Sequence, residues 1–375
     1  MNVLKLKIGV VGIGGMGSDH ARRILAGEIP HMELAGVCDA DEARLAVWKS
    51  QGVATFTSYA SLLASGIQAV LIATPHFTHV PFGVSALEAG LHVLVEKPIA
   101  VQKADAEQLI AAHRKPGQVF AAMFNQRTDP LYVKIKQLLD AGELGKIQRI
   151  TWIITDWYRP QAYYNSSGWR ATWAGEGGGV LINQCPHQLD LYQWLFGLPA
   201  KVRAFCQFGR YHDIEVEDSV TAYLEHANGA GTVLITTTGE APGTNRLEIA
   251  GERGKLRFSR NEVPTDQHIR TATGIFSKPD VWEIEIPISG RGEQHVGIMK
   301  NFAGACLRGE SLIAPAAEGL RSVELANAML LSSAREKTIT LPLPSDEYTH
   351  WLAEKIAGSR FRPQPHTSGA TASKT

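Results

Sequence analysis

The sequence has no surplus of charge of either sign: 37 lysines and arginines stand against 37 aspartates and glutamates. A nucleic-acid or anionic-membrane binder needs a basic excess, so the balance argues against both classes. No run of eighteen apolar residues occurs, so no membrane-spanning helix is expected. Cysteine is scarce, and Cys38, Cys185, Cys206 and Cys306 are scattered without the close pairs that ligate zinc. No signal-peptide pattern precedes the strand-like run at 4–11. These absences predict a soluble, cytoplasmic protein. At 375 residues the chain exceeds what one hydrophobic core usually supports, which predicts two domains.

What is present begins at once. A strand over 6–11 runs into Gly12-Ile13-Gly14-Gly15-Met16-Gly17, a G-x-G-x-x-G, and a helical run at 18–25 follows. A second strand, 32–38, ends on Asp39, twenty-two residues after Gly17. The first glycine permits a tight turn, the second lets backbone approach a pyrophosphate, and the third lets helix pack on strand. The helix amino end offers free N–H groups to phosphates. The Asp39 carboxylate suits ribose hydroxyls and repels a 2′-phosphate, and Arg44 is the one cation nearby. The pattern predicts NAD rather than NADP.

Strands at 69–73, 91–95 and 119–123 then alternate with helices at 80–89 and 102–114, the rhythm of a parallel sheet. Ligands of such sheets sit at strand carboxyl ends, where Thr74, His76, Glu96, Lys97 and Asn125-Gln126-Arg127 fall. Lys97 follows an apolar strand, between an acid and a proline. Desolvation beside a cationic nicotinamide would lower its pKa and fit it for proton transfer. His76 and His79 lack a third ligand, so no metal is expected, and they are read as lining the nicotinamide side of the cleft.

Residues 175–190 are the other informative stretch. A glycine cluster opens what reads as a helix continuing to Phe196, and Pro186 inside the run predicts a bend or a late start. At helical spacing Asn183, His187 and Asp190 share one stripe, and Asp190 is placed to support His187.

Taken together, the fingerprint, Thr74-Pro75-His76, Glu96-Lys97-Pro98, the 175–190 stretch, Ile214–Ser219 and Gly251–Gly254 resemble the glucose–fructose oxidoreductase/inositol dehydrogenase/MocA family. The resemblance runs from about Lys5 to Leu341. It implies a Rossmann domain followed by a domain built on a large open sheet, and NAD(P)-linked chemistry on sugars or cyclitols. Lys97 matches the family's catalytic lysine and His187 its catalytic histidine. Asn183 stands where many members carry aspartate, so it is read as a substrate or orienting contact and not a base. The combination Trp169-Arg170…Trp173…Gly177-Gly178-Gly179…Asn183-Gln184…His187 looks like a subgroup acting on pyranosides.

Cofactor contacts are therefore expected from Gly12, Ile13, Gly14, Gly15, Met16, Asp39, Thr74, His76, His79, Glu96, Lys97, Gln126 and Arg170. Substrate contacts are expected from Lys97, Arg127, Tyr158, Trp169, Asn183 and His187. Aromatic faces with polar tips in 158–179 suit a sugar. Strands expected at 150–157, 219–226, 231–238, 246–250 and 282–288 predict a mostly antiparallel sheet with helices on one face, at 295–307 and 316–335 among them. A second copy of the chain, in a homodimer or homotetramer, would cover the other face. The fold class is thus an α/β doubly wound domain, residues 1–124, an α+β domain, 125–357, and a mobile polar tail, 358–375. Two other readings keep the cofactor: a glycosidase or epimerase that oxidises the sugar transiently, and a non-catalytic NAD-binding regulator.

Overall fold

Short runs buried on both faces build the first sheet. In the computed structural model, which describes residues 4–241, 243–257 and 290–360, these are β1 (Leu6–Val11), β2 (Met32–Cys38), β3 (Thr55–Phe56), β4 (Ala69–Ile72), β5 (His92–Val95) and β6 (Phe120–Ala122). They lie in the order β3-β2-β1-β4-β5-β6, all parallel. β4 is apolar at every position and fully buried, as a strand covered on both faces must be. The covering helices are α1 (Gly15–Leu25), α2 (Glu42–Ser50), α3 (Tyr59–Leu63), α4 (His79–Glu88) and α5 (Lys103–Ala112). Strand order reverses between β1 and β4, which opens a crevice at their carboxyl ends.

The chain then changes rhythm. Asp129 caps α6 (Pro130–Asp140) by accepting the Leu131 N–H, with Pro130 at the first helical position. β7 (Ile147–Ile154), α7 (Gln161–Asn165) and α8 (Pro186–Phe196) follow. After them come β8 (Lys201–Phe208), β9 (Glu217–Glu225), β10 (Gly231–Thr237), β11 (Asn245–Gly251) and β12 (Lys255–Arg257). The last elements are α9 (Gln294–Arg308), α10 (Gly319–Ala334), β13 (Ile339–Thr340) and α11 (Ser345–Ala357). The second sheet runs β12-β11-β7-β10-β9-β8-β13, antiparallel except where β7 meets β10. Its inner face, including Trp152, Leu224, Leu234 and Leu247, packs beneath α8 and α10. The strand expected at 282–288 and residues 361–375 of the tail lie outside the described residues.

One feature departs from the linear reading. The boundary at 124 is crossed by α9, whose Ile298, Met299, Phe302 and Ala303 are buried in the first core with β1 and β6. The helix of residues 175–196 starts at Pro186, the late start that the proline predicts. Before it, the Glu217 carboxylate on β9 accepts the Gly179 and Leu181 N–H groups, each at 2.9 Å. These bonds hold the turn out of helical register, and Gly179 lies so close that a Cβ would sit 1.9 Å from the Glu217 carbonyl oxygen. A buried cluster joins the two sheets' units. Lys103 of α5 donates to the Leu343 carbonyl at 2.6 Å and pairs with Glu324 at 3.0 Å, while its N–H donates to Asn327 Oδ1 on α10.

Candidate active site

The turn between β1 and α1 is shaped to receive a dinucleotide. Gly12 adopts φ +87°, and a Cβ there would lie 2.7 Å from the Ala73 carbonyl oxygen, so only glycine fits. Among the described residues no heavy atom outside the adjacent chain lies within 4 Å of the position a Cβ would take on Gly15, and near Gly14 only the Arg44 guanidinium comes that close. The amino end of α1 is therefore open where phosphates would dock. Ile13 is buried and Met16 is exposed at the loop's edge. Asp39 Oδ2 accepts the Ile13 N–H at 2.8 Å and Oδ1 the Asp41 N–H at 3.0 Å. Each oxygen keeps a second lone pair for a ribose hydroxyl. Arg44 lies 3.7 Å from Asp39 and is half exposed. These residues fit NAD.

The loops after β4 and β5 form the floor. His79 has Nδ1 2.8 Å from the Pro98 carbonyl and Nε2 2.8 Å from that of Thr74. Both ring nitrogens are committed to backbone, so His79 ties the two loops together instead of lining the cofactor side, a correction to the expectation above. Thr74 Oγ1 accepts from Thr78 at 2.7 Å. His76 Nδ1 donates to the Glu176 carbonyl at 3.1 Å, and its ring meets Trp169 edge-on at 5.5 Å. Burial, then the charges of His79 and Lys97, push its pKa well down, so it is neutral.

Glu96 and Lys97 share one backbone corner. Glu96 Oε1 is 2.7 Å from Nε2 of the fully buried His20 on α1, and Oε2 accepts the Lys97 N–H. Burial works against the carboxylate, but His20 outweighs it and holds the pKa at about 2. Lys97 Nζ reaches across the cleft and donates to the Asn183 carbonyl at 2.7 Å. Burial lowers its pKa, Glu96 works against that, and Arg170 adds to the lowering. His187, in the first turn of α8, stacks on Trp157 with centroids 6.1 Å apart. Its Nδ1 is sealed with no hydrogen-bond partner among the described residues, while the residue stays partly exposed, which leaves Nε2 as the nitrogen open to a reactant. Burial and then the Lys97 charge depress its pKa well below the ordinary value. Two depressed bases therefore face one cleft, each disfavouring the other's proton.

Trp157 is itself positioned: its Nε1 donates to Gln188, whose amide donates in turn to Gln126 Oε1 at 3.0 Å. Tyr158 is exposed. Arg170 lies over the rings of Tyr163 and Trp169, 4.5 Å from each centroid, and donates to the Tyr163 hydroxyl at 2.7 Å. Arg127 is a second correction. Its guanidinium is buried and bidentate to Asp190 at 2.8 and 2.6 Å, with further bonds to Glu318 and the Ile313 carbonyl. These bonds use four of the five guanidinium N–H donors and the side chain is 1% exposed, so Arg127 is not presented to a substrate, and Asp190 serves Arg127 and Gln193, not His187.

Two buried residues in this network carried no functional reading in the sequence, His20 and Glu176. His20 falls on the buried stripe of α1 with Gly17, Ala21 and Ile24, a position whose polarity is its only signal. Glu176 is buried inside the glycine cluster, with its carboxylate bonded to the Ala171 N–H and the Asn183 amide.

Comparison with known proteins agrees with this geometry. Residues 6–124 match the family model described as an oxidoreductase family with an NAD-binding Rossmann fold, and residues 132–257 match the GFO/IDH/MocA C-terminal domain. The chain is similar to inositol 2-dehydrogenase of Salmonella typhimurium, 32% identical over 70% of this chain and 75% of that one. It is also similar to inositol 2-dehydrogenase of Rhizobium meliloti, 25% identical over 90% of this chain and all of the other. Among solved structures it resembles the WlbA dehydrogenase from Bordetella pertussis in complex with NADH and UDP-GlcNAcA. That likeness has 28% identity and a TM-score of 0.77, covering 91% of this chain and 100% of the other.

Proposed function

The chain belongs to the GFO/IDH/MocA oxidoreductase family, and from that premise we propose that it oxidises a secondary alcohol of a sugar, a pyranoside, or of a cyclitol. NAD, when bound, supplies the hydride acceptor. The observation that carries the reading is the reach of Lys97 Nζ from the end of β5 to the Asn183 carbonyl beside His187. That bond aims a desolvated amine at the cleft from the cofactor side. Lys97 and His187 handle the proton of the reacting hydroxyl, and the open Nε2 of His187 can pass it to solvent. Trp157, Tyr158, Tyr163 and Trp169 supply the aromatic faces and polar tips that a sugar ring needs. The inositol dehydrogenases and the UDP-GlcNAcA complex among the relatives support this substrate class.

A panel of pyranosides and inositols incubated with NAD tests the proposal. At least one should give stoichiometric NADH. Because the acceptor is the neutral form of groups whose pKa values are lowered, the oxidation rate should rise with pH and level off below the range of an ordinary lysine. Substrate consumed without accumulating NADH would instead mark transient oxidation, and no turnover across the panel would overturn the assignment.

The second sheet supports self-association. On its outer face Phe205 and Tyr223 are 58% and 51% exposed, and β-sheet register puts Val233 and Ile235 beside them. Large apolar side chains grouped on one open face are suited to a second copy, in a homodimer or homotetramer. Sedimentation velocity should find an oligomer that Phe205→Glu with Tyr223→Glu converts to monomer. A monomeric wild type would sink this part of the reading.

A further inference from the structure

Asn183 is held by a residue that no motif singles out. Its amide nitrogen donates to Glu176 Oε1 and, at 3.3 Å, to the Tyr163 hydroxyl. Both amide protons are thereby used. Among the described residues Oδ1 takes no bond, yet it is not among the atoms sealed from solvent. Glu176 is fixed on its other side: Oε2 accepts the Ala171 N–H at 2.7 Å, and its own carbonyl accepts from His76 at 3.1 Å. An ionised carboxylate can only accept, so it forces the amide nitrogen inward and the amide oxygen outward.

We propose that Glu176 is a positioning residue that locks the Asn183 side chain with Oδ1 facing the cleft, as the acceptor for a substrate hydroxyl. The proposal rests on the dehydrogenase reading above and adds to it the group that sets how a non-reacting hydroxyl is recognised. The lock requires the carboxylate. A protonated Glu176 could donate to Oδ1, and the amide would then turn its nitrogen, a donor only, to the cleft. Burial raises the Glu176 pKa to about 7, against the Ala171 N–H, Arg170 and Asn183. The charged and titratable groups facing it are Arg170 at 3.6 Å, Lys97, His76, Tyr164 and Glu217, with the Tyr163 hydroxyl beside them. The lock is thus made above neutrality and released below it, and substrate affinity should fall as pH drops through that range.

Glu176→Gln tests this, because its neutral amide fills the same space but can present either oxygen or nitrogen to Asn183. KM for the alcohol should rise ~10-fold above neutrality with kcat within about threefold, and the pH dependence of KM near neutrality should vanish. An unchanged KM and pH profile, or a fall in kcat alone, would overturn the proposal. A second readout needs no substrate and no variant that must fold. In wild-type protein labelled with 15N-asparagine, the Asn183 side-chain resonance should titrate near neutrality; a resonance that stays fixed overturns the lock. Loss of turnover on every sugar would defeat the dehydrogenase reading while leaving this titration free to decide the role of Glu176.

Discussion

Lys97→Ala is expected to lower kcat for the true substrate about 1,000-fold while leaving NAD affinity within roughly threefold. The lysine reaches from the end of β5 to the turn before α8, which receives it through a hydrogen bond to the Asn183 carbonyl. Among the described residues its side chain makes no hydrogen bond to the glycine loop or Asp39, so cofactor binding should survive its removal. Lys97→Arg sharpens the test. Arginine can keep a bond to the same carbonyl but cannot give up its proton at any working pH. If Lys97 only braces the two walls, arginine should restore turnover; if it handles the proton, arginine should be nearly as inactive as alanine. Near-normal turnover of Lys97→Ala with intact NAD binding would remove Lys97 from the mechanism.

Asp190→Ala should be the most destabilising single substitution near the site, costing about 3–5 kcal/mol. The Arg127 and Asp190 side chains are each 1% exposed, and the two groups make a bidentate pair. Burial works to discharge the guanidinium, but the Asp190 and Glu318 carboxylates outweigh it and hold its pKa above the ordinary value. Removing Asp190 leaves a buried cation with Glu318 and one carbonyl as its remaining acceptors. Replacing both partners, Arg127→Met with Asp190→Leu, should recover most of the loss, since no charge is then stranded. Urea unfolding of the singles and the double closes the cycle. A cost below about 1 kcal/mol for Asp190→Ala would show that the charge finds other compensation. Because Asp190 does not touch His187, folded Asp190→Ala should also keep the wild-type pH profile of turnover.

The contrast between Asp190 and Lys97 says what kind of information a sequence holds. Lys97 was legible because its neighbours are local: an apolar strand, an acid and a proline announce a strand end in a parallel sheet, where ligands gather. Helical spacing puts Asp190 beside His187, three positions apart, and that signal is equally local. Its real partner, Arg127, lies 63 positions away and is brought in by the packing of a single helical turn against α8. His79 failed for the same reason, since its two carbonyl partners belong to loops that only the folded sheet sets side by side.

By itself the sequence determined the doubly wound domain, the glycine turn with Asp39 at the end of the second strand, and a mostly antiparallel second sheet. Each of these rests on periodicity or spacing within a few turns of chain, where the backbone's own geometry dictates the outcome. Tertiary structure alone decided that α9 completes the first core and that Arg127 and Asp190 neutralise each other. It also decided that Glu176 stands behind Asn183. Those outcomes depend on which buried charge finds which partner, and a buried polar group must take whatever partner the packed chain brings within reach.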